Sequence, residues 1–265
     1  MKSGGLISLC SEIEGIVRRA GVKILDVYHS DFAVTQKNDL SPLTEADLIA
    51  HKLIEYELKK LTPDLPVLSE ESCLIGWNER ARWMDYWLID PLDGTREFVK
   101  RNGEFTVNVA RIVHGKPMLG VVYAPYLDEM YCATAGGGAY GQSKGKRRLL
   151  RVSSQSTDKP KVISSRSHQN TKLQSFLNQL KVYELSQTGS SLKFCRIASG
   201  DADIYLRYGA TSEWDTAAGQ LVVQEAGGHV VDLNFHPLVY NQREHLMNPD
   251  FVAYGQWNHE WSAFL

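Results

Sequence analysis

The 265-residue sequence is poor in several features at once. Its four cysteines, Cys10, Cys73, Cys132 and Cys195, form no CxxC pair and no zinc spacing. That argues against a disulfide framework and fits a reducing compartment. No apolar stretch approaches a bilayer span, and the opening "MKSGGLISLC" has one lysine and too short an apolar run for the ~7–15 residues of a secretory core. Export is therefore not expected. Formal net charge is −2, which excludes a general attraction to nucleic acid or an anionic membrane, so an anionic substrate must be held locally.

Several motifs are also missing or incomplete. There is no Walker A, no HExxH, and no clustering of the eight histidines at ligand spacing. Gly136-Gly137-Gly138-Ala139-Tyr140-Gly141 matches GxGxxG, but "QSKGKRR" follows where a dinucleotide site needs a helix, so a glycine-permitted hairpin is expected. Ser190-Ser191-Leu192-Lys193 matches SxxK without the SDN and KTG that complete a penicillin-binding site. No internal repeat or low-complexity tract is visible.

What is present reads as a folded mixed α and β chain, with 43 % hydrophobic and 23 % charged residues. Apolar positions at helical spacing predict helices over 6–28 and, from "SPLTEAD" to Thr62, over a second segment carrying Leu48, Ile49, Leu53, Ile54 and Leu58. Short strands are expected at "DFAVTQKND", "PVLSEE" and "YWLIDPLDG", and an antiparallel meander from Phe105 to Gly141. The basic, serine-rich stretch 142–161 is poorly periodic and marks a boundary between two halves, 1–155 and 156–265. In the second half, strands at "KVISSRS", 181–186 and "ADIYLRYG" alternate with helices near 170–180, at "SSLKFCRIASG" and at "WDTAAGQLVVQEAGG", before short final strands.

Acidic residues stand where stray charges should be rare. Glu70 and Glu71 close one strand, Asp90 and Asp93 close another, and Asp215 opens a helix. Taken singly, Asp215 is a helix N-cap, Asp93-Gly94 a turn, and Glu71 a surface residue. If Glu70, Asp90, Asp93 and Asp215 meet, each pair of charges at 4 Å repels by about 4 kcal/mol at an effective dielectric of 20. Such a pocket needs cations or raised pKa values. Oxygen ligands without histidine or thiol select Mg²⁺, Mn²⁺ or Ca²⁺, and paired ions of this kind serve phosphoryl hydrolysis. One of Asp90 and Asp93 could bridge two ions, the Leu92 carbonyl could add an oxygen, and the N–H groups of Gly94 and Thr95 could hold a phosphate if "TREFVK" starts a helix.

With these residues in hand, the sequence resembles the magnesium-dependent, lithium-sensitive inositol monophosphatase superfamily. "WLIDPLDGT" is similar to its DPxDGT signature, "EWDTAAGQLVVQEAGG" to its WDxAAxxxxxxEAGG signature, and "LSEE" supplies the first-site glutamate. "SPLTEAD", "KRNGEFTVNVA", "GKPMLGVVYAP", "ISSRSH" and "GSSLKFC" make the resemblance strongest to the CysQ-type 3′(2′),5′-bisphosphate nucleotidases, over roughly 8–250. The resemblance implies an α+β fold, a five-layered αβαβα sandwich, and hydrolysis of adenosine 3′,5′-bisphosphate, a by-product of sulfate activation, to AMP and phosphate. An inositol or sugar phosphatase of the same fold is the alternative.

It also implies roles. Glu70, Asp90, Leu92, Asp93 and Asp215 would bind two or three Mg²⁺; Gly94 and Thr95 would hold the scissile phosphate. Asp47 and Glu70 compete as the base beside Thr95. Ser167, His168, Ser191 and Lys193 match nucleotide-contacting positions, with Glu70, Leu92, Asp93 and Asp215 also bordering substrate, and Arg207 is a further candidate. Read without the family, Lys193 is an exposed helix lysine and His168 a loop histidine. Arg96, where lysine is common, and Glu213 before Trp214 depart from the pattern without touching a metal ligand. A cytoplasmic monomer with a small-molecule partner is expected, with loose attachment to the inner membrane face left open.

Overall fold

Ile13, Ile16, Val17, Ala20 and Ile24 recur every third or fourth residue, and all are buried along one side of helix α1 (Ser3–Tyr28). The computed structural model to which this helix belongs describes residues 3–36, 42–73, 75–154, 159–166, 171–256 and 259–264. A short ribbon follows, β1 (Val34–Gln36) antiparallel to β2 (Pro42–Thr44), and leads into α2 (Glu45–Leu61). The helix thus starts later than "SPLTEAD" suggests, because Pro42 to Thr44 are extended. Its buried stripe is Ala46, Ala50, Ile54 and Leu58, while Leu48 faces outward.

Strands β3 (Val67–Ser69), β4 (Asp85–Asp93), β5 (Thr106–Val113), β6 (Lys116–Ala124), β7 (Glu129–Thr134), β8 (Gly138–Ser143) and β9 (Lys146–Leu149) pair in sequence order as one seven-stranded sheet. Only the β3–β4 pairing is parallel. The short helices α3 (Trp77–Arg80) and α4 (Thr95–Val99) sit before and after β4. The expected hairpin at Gly136 to Gly141 is the β7–β8 connection. Strand β9 lies inside the stretch read as poorly periodic. It is an edge strand with all four residues exposed, so no apolar alternation marks it.

A second, five-stranded sheet has the order β11-β10-β12-β14-β13, from β10 (Lys161–Ser165), β11 (Glu184–Thr188), β12 (Ile204–Arg207), β13 (His229–Asp232) and β14 (Phe251–Tyr254). Helices α5 (Thr171–Leu180), α6 (Leu192–Ala198) and α7 (Glu213–Glu225) intervene.

Period-two alternation builds the layers. On β4, Trp87 and Ile89 join the core shared with α1 and α2, while Tyr86 and Leu88 join the core shared with α6 and α7. Each such fully buried side chain contributes about 1.5–3 kcal/mol. Val162, Ile204, Leu206 and Val252 form a third core with Phe176 and Leu177 of α5 and with Trp261. The stack is therefore helix, sheet, helix, sheet, helix, the expected αβαβα sandwich. Helix α7 rests directly on the first sheet: a Cβ at Gly120 would lie 2.7 Å from the Ala218 carbonyl oxygen, so Gly120→Ala would force these layers apart.

Candidate active site

Two residues three apart in a regular strand point to opposite faces. Asp90 and Asp93 escape this rule because β4 is bulged between them: Asp90 is opposite Asn108 and Asp93 opposite Thr106, three steps on one strand against two on the other. The extra residue lets both carboxylates serve one site. Carboxylate oxygens of Asp90, Asp93 and Asp215 all lie within 4.8 Å of one another. Glu70 begins the short 3₁₀ turn Glu70–Ser72 after β3 and stands outside that trio. Burial pushes the Asp215 carboxyl well above the usual carboxylate range, with the charges of Asp93 and Glu70 adding to the effect.

The Asp215 N-cap reading is corrected by the structure. Ser212 is the N-cap of α7, and Asp215 is the third helical residue, accepting the Ser212 N–H at 2.8 Å. Asp47 has the same place in α2: its Oδ2 accepts the Thr44 N–H at 2.8 Å and the Thr44 hydroxyl at 2.6 Å. Its Oδ1 lies 3.3 Å from Thr95 Oγ1, which is also 3.3 Å from the Leu92 carbonyl oxygen. Asp47, Leu92 and Thr95 are thus gathered beside the acidic trio.

Gly94 makes the turn after Asp93 with φ +88°, the left-handed region that glycine occupies without strain, and it is the N-cap of α4. The Gly94, Thr95 and Arg96 N–H groups head that helix, where no intrahelical carbonyl can reach them.

Cations share the site with the carboxylates. A cavity of about 240 Å³ is lined by Asp93, Thr95, Asp215, Ser191, Lys193 and Arg207 among others. Lys193 is 5 % exposed, which overturns the exposed-lysine reading. Its Nζ donates to the carbonyl oxygens of Thr188 and Ser190, and burial lowers its pKa to about 8 against the raising effect of Asp93. Arg207 donates to the Ala210 carbonyl at 2.7 Å, while its buried Nε has no hydrogen-bond partner among the described residues. A buried donor left in that state is stabilised by an incoming acceptor.

Ser191, which lines this cavity, also has partners that the sequence does not announce. Its N–H donates to Asp93 Oδ2 at 2.6 Å and its hydroxyl to Asn108 Oδ1 at 2.7 Å, with Thr106 Oγ1 also 2.7 Å away. Ser190 Oγ donates to the same Asp93 oxygen at 2.7 Å. These serines orient a carboxylate of the trio. Ser167 and His168 lie outside the described residues.

Thr106, Asn108 and Ser190 were missed by the sequence reading, although Thr106 and Asn108 interrupt the apolar run of "FTVNVA" at alternate, fully buried positions. Polar residues on one face of a buried strand were the available signal. Arg166 and Glu104 were missed too. They pair through two 2.8 Å hydrogen bonds, and Glu104 also accepts the Gly189 N–H at 2.9 Å, which ties the serine loop to the segment before β5.

The donor set fits a hard divalent cation. Three carboxylates converge, one is forced toward its protonated form, and among the described residues no imidazole or thiol joins them. Residues 9–262 match the model of the inositol monophosphatase family. The chain is 50 % identical to the 3′(2′),5′-bisphosphate nucleotidase CysQ of Shigella flexneri over 238 residues, 89 % of this chain and 95 % of the relative. Among solved structures, CysQ from Bacteroides thetaiotaomicron superposes with a TM-score of 0.83 at 36 % identity, covering 94 % of this chain and 97 % of that one. An IMPase from Thermotoga maritima superposes with a TM-score of 0.78 at 26 % identity, covering 94 % and 93 %.

Proposed function

The chain belongs to the inositol monophosphatase family, and from that premise we propose that it is a magnesium-dependent 3′(2′),5′-bisphosphate nucleotidase hydrolysing adenosine 3′,5′-bisphosphate to AMP and phosphate. One observation carries the reading: a bulged strand and a helix start gather Asp90, Asp93 and Asp215, and Asp93 and Asp215 line a cavity that Lys193 and Arg207 also line. Half-identity with relatives named for this activity supports the substrate class.

Glu70, Asp90, the Leu92 carbonyl, Asp93 and Asp215 are assigned to hold two or three Mg²⁺. When bound, such ions neutralise the carboxylates, ease deprotonation of water and stabilise the leaving oxygen. The N–H groups of Gly94 and Thr95 receive oxygens of the scissile phosphate. The Thr95 hydroxyl, 3.3 Å from Asp47, orients the attacking water and passes its proton toward that buried carboxylate. Geometry favours Asp47 over Glu70 as the base, since Asp47 is fixed by Thr44 and Thr95 while Glu70 is kept for metal. Lys193 and Arg207 supply positive charge for the second phosphate, with Ser167, His168 and Ser191 assigned to the same substrate. Ser191 also acts through Asp93.

The division near residue 155 follows the sheets, one drawn from residues 67–149 and the other from 161–254, with Asp215 crossing to complete the site. No helix among the described residues is long and apolar enough to cross a membrane, and four scattered cysteines without disulfide-framework spacing suit a cytoplasmic location.

The test is phosphate release with Mg²⁺ from adenosine 3′,5′-bisphosphate, adenosine 2′,5′-bisphosphate, inositol 1-phosphate and fructose 1,6-bisphosphate. An adenosine bisphosphate is expected to lead in kcat/KM by at least about tenfold. A leading inositol ester would withdraw the nucleotide roles of Ser167, His168, Ser191 and Lys193.

A further inference from the structure

The other face of the seven-stranded sheet carries a second group of convergent ligand atoms, of different chemistry. Cys10 and Glu14 lie one turn apart on α1, and Cys132 projects from β7 toward the core they share. Their two sulfurs and a carboxylate oxygen all lie within 4.8 Å of one another. Both cysteines are buried, and both line a cavity of about 140 Å³ that reaches Thr134, Gly137 and Tyr140. The other charged group here is Arg147. Its Nη1 donates to both Glu14 oxygens at 3.0 Å, its Nη2 lies 3.3 Å from Cys132 Sγ, and its guanidinium stacks over the Tyr140 ring.

We propose that Cys10, Cys132 and Glu14 form a site for one thiophilic divalent cation of the zinc type, with the adjoining cavity supplying a fourth, exchangeable ligand. Two thiolates and one carboxylate suit a borderline-soft ion and are a poor match for Mg²⁺. With Arg147 retained, two thiolates, Glu14 and the guanidinium carry a formal charge of −2, which one divalent ion neutralises. The Arg147 side chain is 46 % exposed, so it has solvent to move into as Glu14 turns to the metal. Both thiols are buried, so metal entry must displace their protons. The strand layer separates this site from the carboxylate trio, so the two sites fill independently.

The probe is Co²⁺ titrated into the reduced full-length chain with Mg²⁺ in excess. Only a thiolate-bound cobalt gives intense sulfur-to-metal charge-transfer absorption in the near ultraviolet, so cobalt at the carboxylate trio is silent in this band. One equivalent should produce the band and Zn²⁺ should erase it. Cys10→Ser and Cys132→Ser should each abolish it, and Cys73→Ser should leave it unchanged. Folding of each variant is checked by circular dichroism. If the serine variants fail to fold, Glu14→Gln and Arg147→Gln decide the matter: Zn²⁺ affinity should fall about tenfold in the first and rise severalfold in the second, where the competing guanidinium is gone. Absence of the band, its survival in both cysteine variants, or loss of two thiols to a Cys10–Cys132 cross-link with no metal retained would overturn the proposal. Because the readout is absorption, failure of this site leaves the phosphatase reading intact.

Discussion

Helices α2 and α7 begin alike. Each starts after an extended hydroxyl residue, Thr44 or Ser212, and each carries an aspartate three positions on that accepts the N–H of that residue at 2.8 Å. The two starts differ in what lies beyond the cap. The second oxygen of Asp47 meets the Thr95 hydroxyl, whereas Asp215 meets Asp93, Asp90 and the field of Glu70. Capping fixes the direction of each carboxylate, and its neighbours decide its chemistry. Among hydroxyls and backbone donors an aspartate is held by hydrogen bonds at both oxygens. Among other carboxylates it is driven toward protonation unless a cation enters.

The comparison breaks most visibly at Asp215. Asp215→Asn keeps a capping acceptor but removes a ligand charge, so kcat/KM should fall on the order of 10³-fold, with weaker Mg²⁺ binding by calorimetry. Wild-type turnover in this variant would show the acidic trio to be structural. Asp47→Asn should lower kcat by about 10²-fold while leaving Mg²⁺ affinity nearly unchanged. Combined with Thr95→Ala it should cost little more than either change alone, because the two residues act as one unit. Additive losses would separate them.

Lys193 sharpens the Asp215 side of the comparison. Its pKa of about 8 means the ammonium is charged below that pH and neutral above it. KM for the bisphosphate should therefore rise as pH passes about 8, and Lys193→Met should show a KM about tenfold higher at pH 7 with no such rise. A KM flat with pH in the wild type would remove Lys193 from substrate binding. The smallest effect separates the caps themselves. Thr44→Ala and Ser212→Ala should each cost about 1 kcal/mol by denaturant unfolding. Only Thr44→Ala should also reduce kcat, since the Thr44 hydroxyl donates to Asp47 at 2.6 Å while the Ser212 hydroxyl is spent 3.8 Å from Met247 Sδ.

Much of this was legible in the sequence. Asp90 and Asp93 at a strand end, Gly94 before a short helix, and the helical stripe of α1 are local patterns, and the structure contains each of these elements. What stayed hidden depended on partners distant in the chain. The bulge that turns Asp90 and Asp93 to one side exists only against Asn108 and Thr106 of β5. Burial of Lys193 comes from packing near Tyr205, 5.3 Å from its ammonium, and no helical spacing announces it. Strand β9 is an exposed edge whose basic residues carry no alternation. Taken singly, Asp215 reads as an N-cap because an aspartate at a helix start serves equally as N-cap or as third residue, and only the Ser212 N–H distinguishes them.

The central claim is that the gathered carboxylates work only with divalent cations among them. Its most direct test is the initial rate of phosphate release from adenosine 3′,5′-bisphosphate after exhaustive chelation, then after Mg²⁺ is restored. The account predicts no turnover in the first condition and full recovery in the second. Undiminished turnover by the chelated enzyme would contradict it.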